Sequence, residues 1–297
     1  MINKKHVQTL AAISNEYLST LTNPFSQKTI KSNFVDFDAL TNGGFKHGTL
    51  TIIASRPSMG KTTFALNLAE NIAINQNIPI AYFSLESSSE YCVASILSSL
   101  MNIDKRKFIS HQISHEEVLL LKDVTLKITH SPLYFSSSTI ACIYELCERI
   151  EQLKNERDIQ MVIIDYVQLI PAMCLNQNDY SIALSEVTRT LQKLALKLDI
   201  AIIALSQVNR RLEKRKNKRP KLMDLRQDGD FEQAASLVVF LYRDCIYQEE
   251  YSADKDSVEI IVAKNKFGLI GTILMRFNGQ YSKFETLSPD ELICQYY

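Results

Sequence analysis

The chain has 297 residues, 46% hydrophobic and 22% charged, with 33 basic against 33 acidic side chains and a formal net charge of zero. These values suit one large α/β domain, or one domain with a short appendage, and exclude a globally basic nucleic-acid surface; any such surface must be local. The N-terminus lacks an apolar signal core, and no run approaches the roughly 18 residues that span a bilayer, so a soluble, cytoplasmic protein without membrane partners is expected.

In chain order, residues 4–22 space Val7, Leu10, Ala11, Ile13, Leu18 and Leu21 as one amphipathic helix, stopped by Asn23-Pro24. Its stripe must be buried on its own domain or on a neighbouring subunit. Ser26 to Asn33 reads as a polar linker, giving a division into residues 1–32 and a domain over 33–297. Phe34 to Leu40 leads to a Gly43-Gly44 turn, and Thr49 to Ala54 is an apolar strand. Strands then alternate with helices: strands at Ile80–Leu85, Leu133–Phe135, Met161–Ile164, Ile200–Leu205 and Leu237–Tyr242, helices at Tyr91–Met101, His115–Ile128, Ile140–Asn155 and Ser181–Leu198. Val258–Val262 and Thr272–Phe277 form an antiparallel edge. Near-continuous apolar strands alternating with helices imply a mostly parallel sheet covered on both faces.

The six cysteines form no Cys-x-x-Cys pair and sit mostly in apolar stretches, as buried free thiols of a reducing compartment do. His111 and His115 lie four apart without a third ligand and read as solvated residues, not a zinc site.

The chemistry is concentrated at Ser55-Arg56-Pro57-Ser58-Met59-Gly60-Lys61-Thr62-Thr63, between a strand and a helical pattern. Backbone N–H groups and a helix N-terminus there present positive potential to a triphosphate. Gly60 permits close approach, Lys61 reaches the terminal phosphates and Thr62 ligates Mg²⁺. Ser55 stands where the usual pattern begins with glycine. Ligands gather at the carboxyl ends of parallel strands, where Glu86, Asp165 and Gln207 also fall. Asp165, closing an apolar strand, suits Mg²⁺ through a coordinated water. Glu86 suits the base that activates water, and Gln207 a sensor of the terminal phosphate. Downstream, Arg210, Arg211, Lys214, Arg215, Lys216, Lys218 and Arg219 accompany a single acid, Glu213. That run fits sequence-independent, salt-dependent phosphate contacts, by backbone tracking more than base stacking. Lys264 and Lys266, near a strand end, suit cations that stabilise transition-state charge on a neighbouring subunit's nucleotide.

These motifs together resemble the C-terminal ATPase domain of replicative hexameric DNA helicases of the DnaB type, within the RecA-like group. The likeness covers about residues 33–285 and rests on Ala54 to Asn67, Phe83-Ser84-Leu85-Glu86, Ile164-Asp165-Tyr166-Val167-Gln168-Leu169 and Leu205-Ser206-Gln207. It continues through Lys218-Arg219-Pro220, Asp224-Leu225-Arg226, Phe240-Leu241-Tyr242-Arg243 and Ala263-Lys264-Asn265. What it implies is a RecA-like P-loop NTPase using ATP and Mg²⁺ at the interfaces of a homohexameric ring. It further implies translocation on single-stranded DNA, gripped by loops that include Arg226, and dealings with a loader or primase. The chain departs from the family in three places. Only about 30 residues precede the likeness where the family has a substantial N-terminal domain, so residues 4–22 correspond to its linker helix. Lys266 stands at the family's arginine-finger position, keeping the charge without the planar fork. Ala234 and Ser236 stand where the family is commonly acidic. Two rival readings stay open: a RecA-like strand-exchange or loading ATPase, and a weakly hydrolysing, ATP-binding ring subunit.

Overall fold

The computed structural model describes residues 29–171, 180–225, 231–247 and 255–287, together with residues 9–11, 14 and 18. Most of the 4–22 helix, Arg226, Cys174 and Cys294 lie outside the described residues.

A nine-stranded sheet forms the centre, in the order β11-β10-β9-β8-β3-β7-β6-β4-β5. Its parallel strands are β3 (Leu50–Ser55), β4 (Ile80–Ser84), β5 (Leu133–Ser136), β6 (Met161–Asp165), β7 (Ala201–Gln207) and β8 (Leu237–Tyr242). The antiparallel edge is β9 (Ser257–Asn265), β10 (Gly271–Asn278) and β11 (Lys283–Thr286). Because side chains alternate across a strand, apolar runs such as Leu50-Thr51-Ile52-Ile53-Ala54 supply both faces at once. Ile53, Ile163, Ile203 and Val239 enter one core. Ile52, Val162, Ile202 and Val238 enter the other.

Helices cover each core. On the first lie α2 (Lys61–Ala69) and α3 (Ser89–Met101); on the second lie α6 (Ile143–Arg157) and α7 (Tyr180–Leu198). The Ser88 hydroxyl caps α3 by accepting from Tyr91 N, and Ser114 with Glu117 forms a capping box on α5 (His115–Thr129). Helix α5 buries none of its residues, and Leu119 and Leu120 face outward.

The sequence reading needs correction in several places. Thr29–Ile30 is not linker but a strand, β1, antiparallel to β2 (Phe45–Lys46), and α1 (Val35–Leu40) lies between them. The Ser32 amide and hydroxyl and the Asn33 amide are held by the Asp38 carboxylate, which draws this polar stretch into the domain. The short helix α4 (Lys105–Ile109) and the edge strand β11 also went unassigned, since neither is long enough to show a period. Among the cysteines, Cys92 and Cys142 are buried, while Cys147 and Cys245 are half-buried; all four are free thiols. His111 and His115 are both exposed, and the described residues contain no His, Cys, Asp and Glu cluster fit for a metal.

The Asn67 side chain on α2 donates to Ser282 O (3.1 Å) and accepts from Phe284 N (2.7 Å), tying the helix to the start of β11. Where α2 widens into a π-helical stretch, Glu70–Asn75, Glu70 is buried and one carboxylate oxygen lacks a hydrogen-bond partner. Burial pushes this carboxyl up to about 7, against a Ser99 hydrogen bond and the Lys283 charge.

Candidate nucleotide site and adjoining basic segment

Register brings the predicted residues together. Ser55 of β3 pairs with Gln207 of β7, and Ser84 of β4 pairs with Asp165 of β6, so four strand ends form one rim. A cavity of about 640 Å³ opens there, lined by Ser55, Arg56, Gly60, Lys61, Glu86 and Gln207 among others. Pro57, Ser58, Thr62 and Thr63 complete the loop's share of the wall.

The loop conformation follows from its residues. Gly60 takes φ +91° at the N-terminus of α2, and Ser58 takes φ +67°. A Cβ on Gly60 would lie 3.0 Å from Phe284 Cζ, so glycine answers both the left-handed backbone and the crowding. Met59 differs from its neighbours: its side chain is buried in the first core, and its sulfur accepts from Arg243 N, so it anchors the loop and does not line the cavity. Arg56 leans away from the loop, donating to Glu213 Oε1 (2.8 Å) and Val208 O (2.9 Å).

Lys61 and Asp165 form the electrostatic centre. Burial lowers the Lys61 ammonium from its ordinary range, opposed by Asp165 and Glu86. Burial raises Asp165, opposed by Lys61, Thr62 and Tyr82. Tyr82 donates to Asp165 Oδ2 (3.0 Å), while the buried Oδ1 has no hydrogen-bond partner. Such an oxygen is costly to leave unmade and suits a cation or its water shell. Lys61 also lies over the Tyr166 ring, 4.6 Å from its centroid. Gln168 holds the end of β7: it donates to Ser206 Oγ (2.7 Å) and Gln207 O (3.1 Å) and accepts from Gln207 N. Ser84 donates to Ser87 O (2.6 Å), which closes the turn carrying Glu86.

Tyr82 and the supporting role of Gln168 escaped the sequence reading, as did the lining residues Ser87, Ser88, Tyr91, Lys105 and Phe277. The signal for Tyr82 was a hydroxyl inside an otherwise apolar strand beside a carboxylate strand. No comparable pattern marks Lys105, which depends on the fold of α4.

The basic run is divided in use. Arg210, Arg211, Lys214 and Lys216 are exposed. Arg215 instead pairs with Asp224 (2.8 Å), and Arg219 grips Glu259 at 2.6–3.0 Å over the Tyr242 ring. Lys218 lies over the Tyr247 ring. Lys264 donates to Glu232 O, and neither it nor Lys266 lines the nucleotide cavity within this chain.

A mostly parallel sheet with a phosphate loop, a buried carboxylate and a strand-end glutamate at one rim defines a RecA-like P-loop NTPase domain. Comparison with known proteins narrows this class. Residues 29–286 match the DnaB-like helicase C terminal domain family. The chain belongs to that family. It is 34% identical over 258 residues to "Replicative DNA helicase DnaB" of Geobacillus stearothermophilus, covering 87% of this chain and 56% of that protein. It is 37% identical over 291 residues to the protein of the same name from Buchnera aphidicola subsp. Baizongia pistaciae, covering 97% and 62%. The chain thus spans about three-fifths of the length of these relatives. One solved ATPase domain superposes with a TM-score of 0.85 at 31% identity, covering 94% of this chain and 98% of that one. A DnaB-like replicative helicase, described with its interactions with primase, gives 0.84 at 30% identity, covering 95% and 68%. No helix among the described residues is long and apolar enough to cross a membrane.

Proposed function

We propose that this chain is the ATP-driven motor unit of a replicative-type DNA helicase, which moves on single-stranded DNA as a hexameric ring. The observation that carries the reading is the convergence of Lys61, Thr62, Glu86 and Gln207 on one cavity, with the buried Asp165 beneath it at the neighbouring strand end and electrostatically coupled to Lys61. Lys61 binds the terminal phosphates, and the loop backbone from Ser55 to Thr63 cradles the chain. Thr62 and Asp165 would hold Mg²⁺, for which the partnerless Asp165 Oδ1 is suited; the ion supplies charge neutralisation on the phosphates. Glu86 orients and deprotonates the attacking water, and Gln207 reads the terminal phosphate. Lys264 and Lys266 act on the nucleotide of the next subunit, in keeping with their place outside this chain's own cavity. Arg210, Arg211, Lys214 and Lys216 contact DNA phosphates. A cytoplasmic location and a primase or loader partner belong to the same reading, the primase by analogy with the solved relative.

The test is ATP hydrolysis with and without single-stranded DNA, followed by fork unwinding, on wild type and Glu86→Gln. Glu86→Gln is expected to keep nucleotide binding and lose hydrolysis by about 10²–10⁴-fold. Stimulated turnover that survives the substitution removes Glu86 from the base's role. Hydrolysis without unwinding favours a loading or strand-exchange ATPase. A monomer under all nucleotide conditions removes the role of Lys264 and Lys266 across an interface.

A further inference from the structure

The lining of the cavity includes a pair of side chains, Tyr91 and Lys105, with no part in the hydrolysis chemistry proposed for the site. Lys105, the first residue of α4, places Nζ 2.9 Å from the Tyr91 hydroxyl and 4.7 Å from the centroid of the Tyr91 ring. Both residues line the cavity with the phosphate loop, Ser87 and Ser88. The lysine is fixed at both levels. Its backbone N–H donates to Gln280 O (3.0 Å), and the Asp104 carboxylate caps the start of α4 by accepting from Arg106 N (2.9 Å).

The ammonium has no carboxylate partner among the described residues. The nearest acid in sequence, Asp104, is taken up by the Arg106 guanidinium at 2.6–3.1 Å, which holds its carboxyl down at about 2. A lysine ammonium has three donors, and the one neutral hydroxyl satisfies a single donor. The charges on the wall point the same way. Among the described residues, four charged side chains line the cavity: Arg56, Lys61, Lys105 and Glu86. Arg56 is matched by Glu213, which lies outside that wall. Lys61 is offset first by the buried Asp165 and then by Glu86, whereas Lys105 makes no ion pair among the described residues and is held by the neutral Tyr91 hydroxyl.

We propose that Lys105, held in place by Tyr91, is a second phosphate-recognising cation of the nucleotide cavity, acting with Lys61 on the phosphate chain of a nucleoside di- or triphosphate. This rests on the nucleotide reading given above. Tyr91 is a positioning residue: its hydroxyl and ring keep the flexible lysine stem folded back over the cavity instead of extended into solvent.

The experiment is calorimetric titration of the whole chain with Mg·ATP and with Mg·ADP at two salt concentrations. It compares wild type, Lys105→Met, Lys105→Arg, Tyr91→Phe and, as control, Lys61→Ala. Lys105→Met is expected to weaken both nucleotides about five- to tenfold and to flatten the salt dependence, as removal of one half-exposed ionic interaction should. Lys105→Arg should bind within about twofold of wild type because it keeps the charge, and Tyr91→Phe should fall between, about two- to threefold weaker. Affinity of Lys105→Met within twofold of wild type, or a Lys105→Arg variant as weak as Lys105→Met, overturns the proposal. If Lys61→Ala loses binding while Lys105→Met does not, the proposal alone fails. If wild type binds neither nucleotide, the nucleotide reading fails and takes the proposal with it. Loss of affinity for a single-stranded oligonucleotide with nucleotide affinity intact also overturns it, since the phosphates read would then be those of DNA.

Discussion

Replacing Glu70 by glutamine should stabilise the domain, and by an amount that grows with pH. Glu70 is buried where α2 opens into its π-helical stretch, with one oxygen lacking a partner. Its carboxyl is raised from 4.5 to about 7, chiefly by burial. Between those two values the folded state binds more protons than the unfolded state, so stability falls as pH rises through the window. Below 4.5 both states are protonated and the residue is neutral in its effect; above about 7 the folded chain carries a buried carboxylate. At 1.36 kcal/mol for each tenfold change in proton affinity, the full difference is about 3 kcal/mol. Glutamine keeps the shape and the hydrogen bonding of the neutral acid without ionising. Denaturant unfolding of wild type and Glu70→Gln should therefore give a gap below about 1 kcal/mol near pH 5 and about 3 kcal/mol near pH 8. A gap that is the same at both pH values, or a less stable glutamine variant at pH 8, would refute the assignment of a raised, burial-driven carboxyl.

Three other variants probe the loop and the basic run. Gly60→Ala forces a side chain into φ +91° and against Phe284 Cζ at 3.0 Å, so thermal unfolding should report a loss of about 1–3 kcal/mol. An unchanged melting temperature would mean the loop relaxes at no cost. Arg210→Ala combined with Arg211→Ala should weaken single-stranded DNA binding and lower the slope of log K against log salt by roughly 0.7 for each phosphate no longer neutralised. Arg219→Ala, whose partner is Glu259, should leave that slope alone and lower stability by about 1 kcal/mol, read by denaturant titration; a lower slope for Arg219→Ala would place it among the residues that touch DNA.

The sheet was readable because its central strands are apolar on both faces, so Met161–Ile164 and Leu237–Tyr242 announce themselves without alternation. The rim was readable because Glu86, Asp165 and Gln207 each end such a run, and parallel pairing brings like ends together. Side-chain destinations were not. Arg215 and Arg219 look like Arg210 and Arg211 in a charge run, and only the fold brings Asp224 and Glu259 against them. Met59 looks like a loop residue until the core beneath the loop is seen to receive it. Lys105 sits in a helix of five residues, too short for a period, and reaches the cavity only because the chain turns back at Asn102 in a left-handed conformation. Thr29–Ile30 is two residues long, and pairing with Phe45–Lys46 decides its state more than its own composition does.

The Asn67 amide has a mechanical consequence. One side chain on the helix that begins at the phosphate loop bonds backbone groups on two residues, Ser282 and Phe284, more than 200 positions away. Both bonds are buried, so water cannot replace them while the core stays closed. The helix and the outermost strand are thereby tied at one buried point, so the phosphate loop's helix and the antiparallel border share a fastening that the core protects from water. Strand β9, two places inward from β11, bears Lys264. The hydrogen-bonded sheet thus runs without a break from that tie, through β11 and β10, to the strand that carries Lys264.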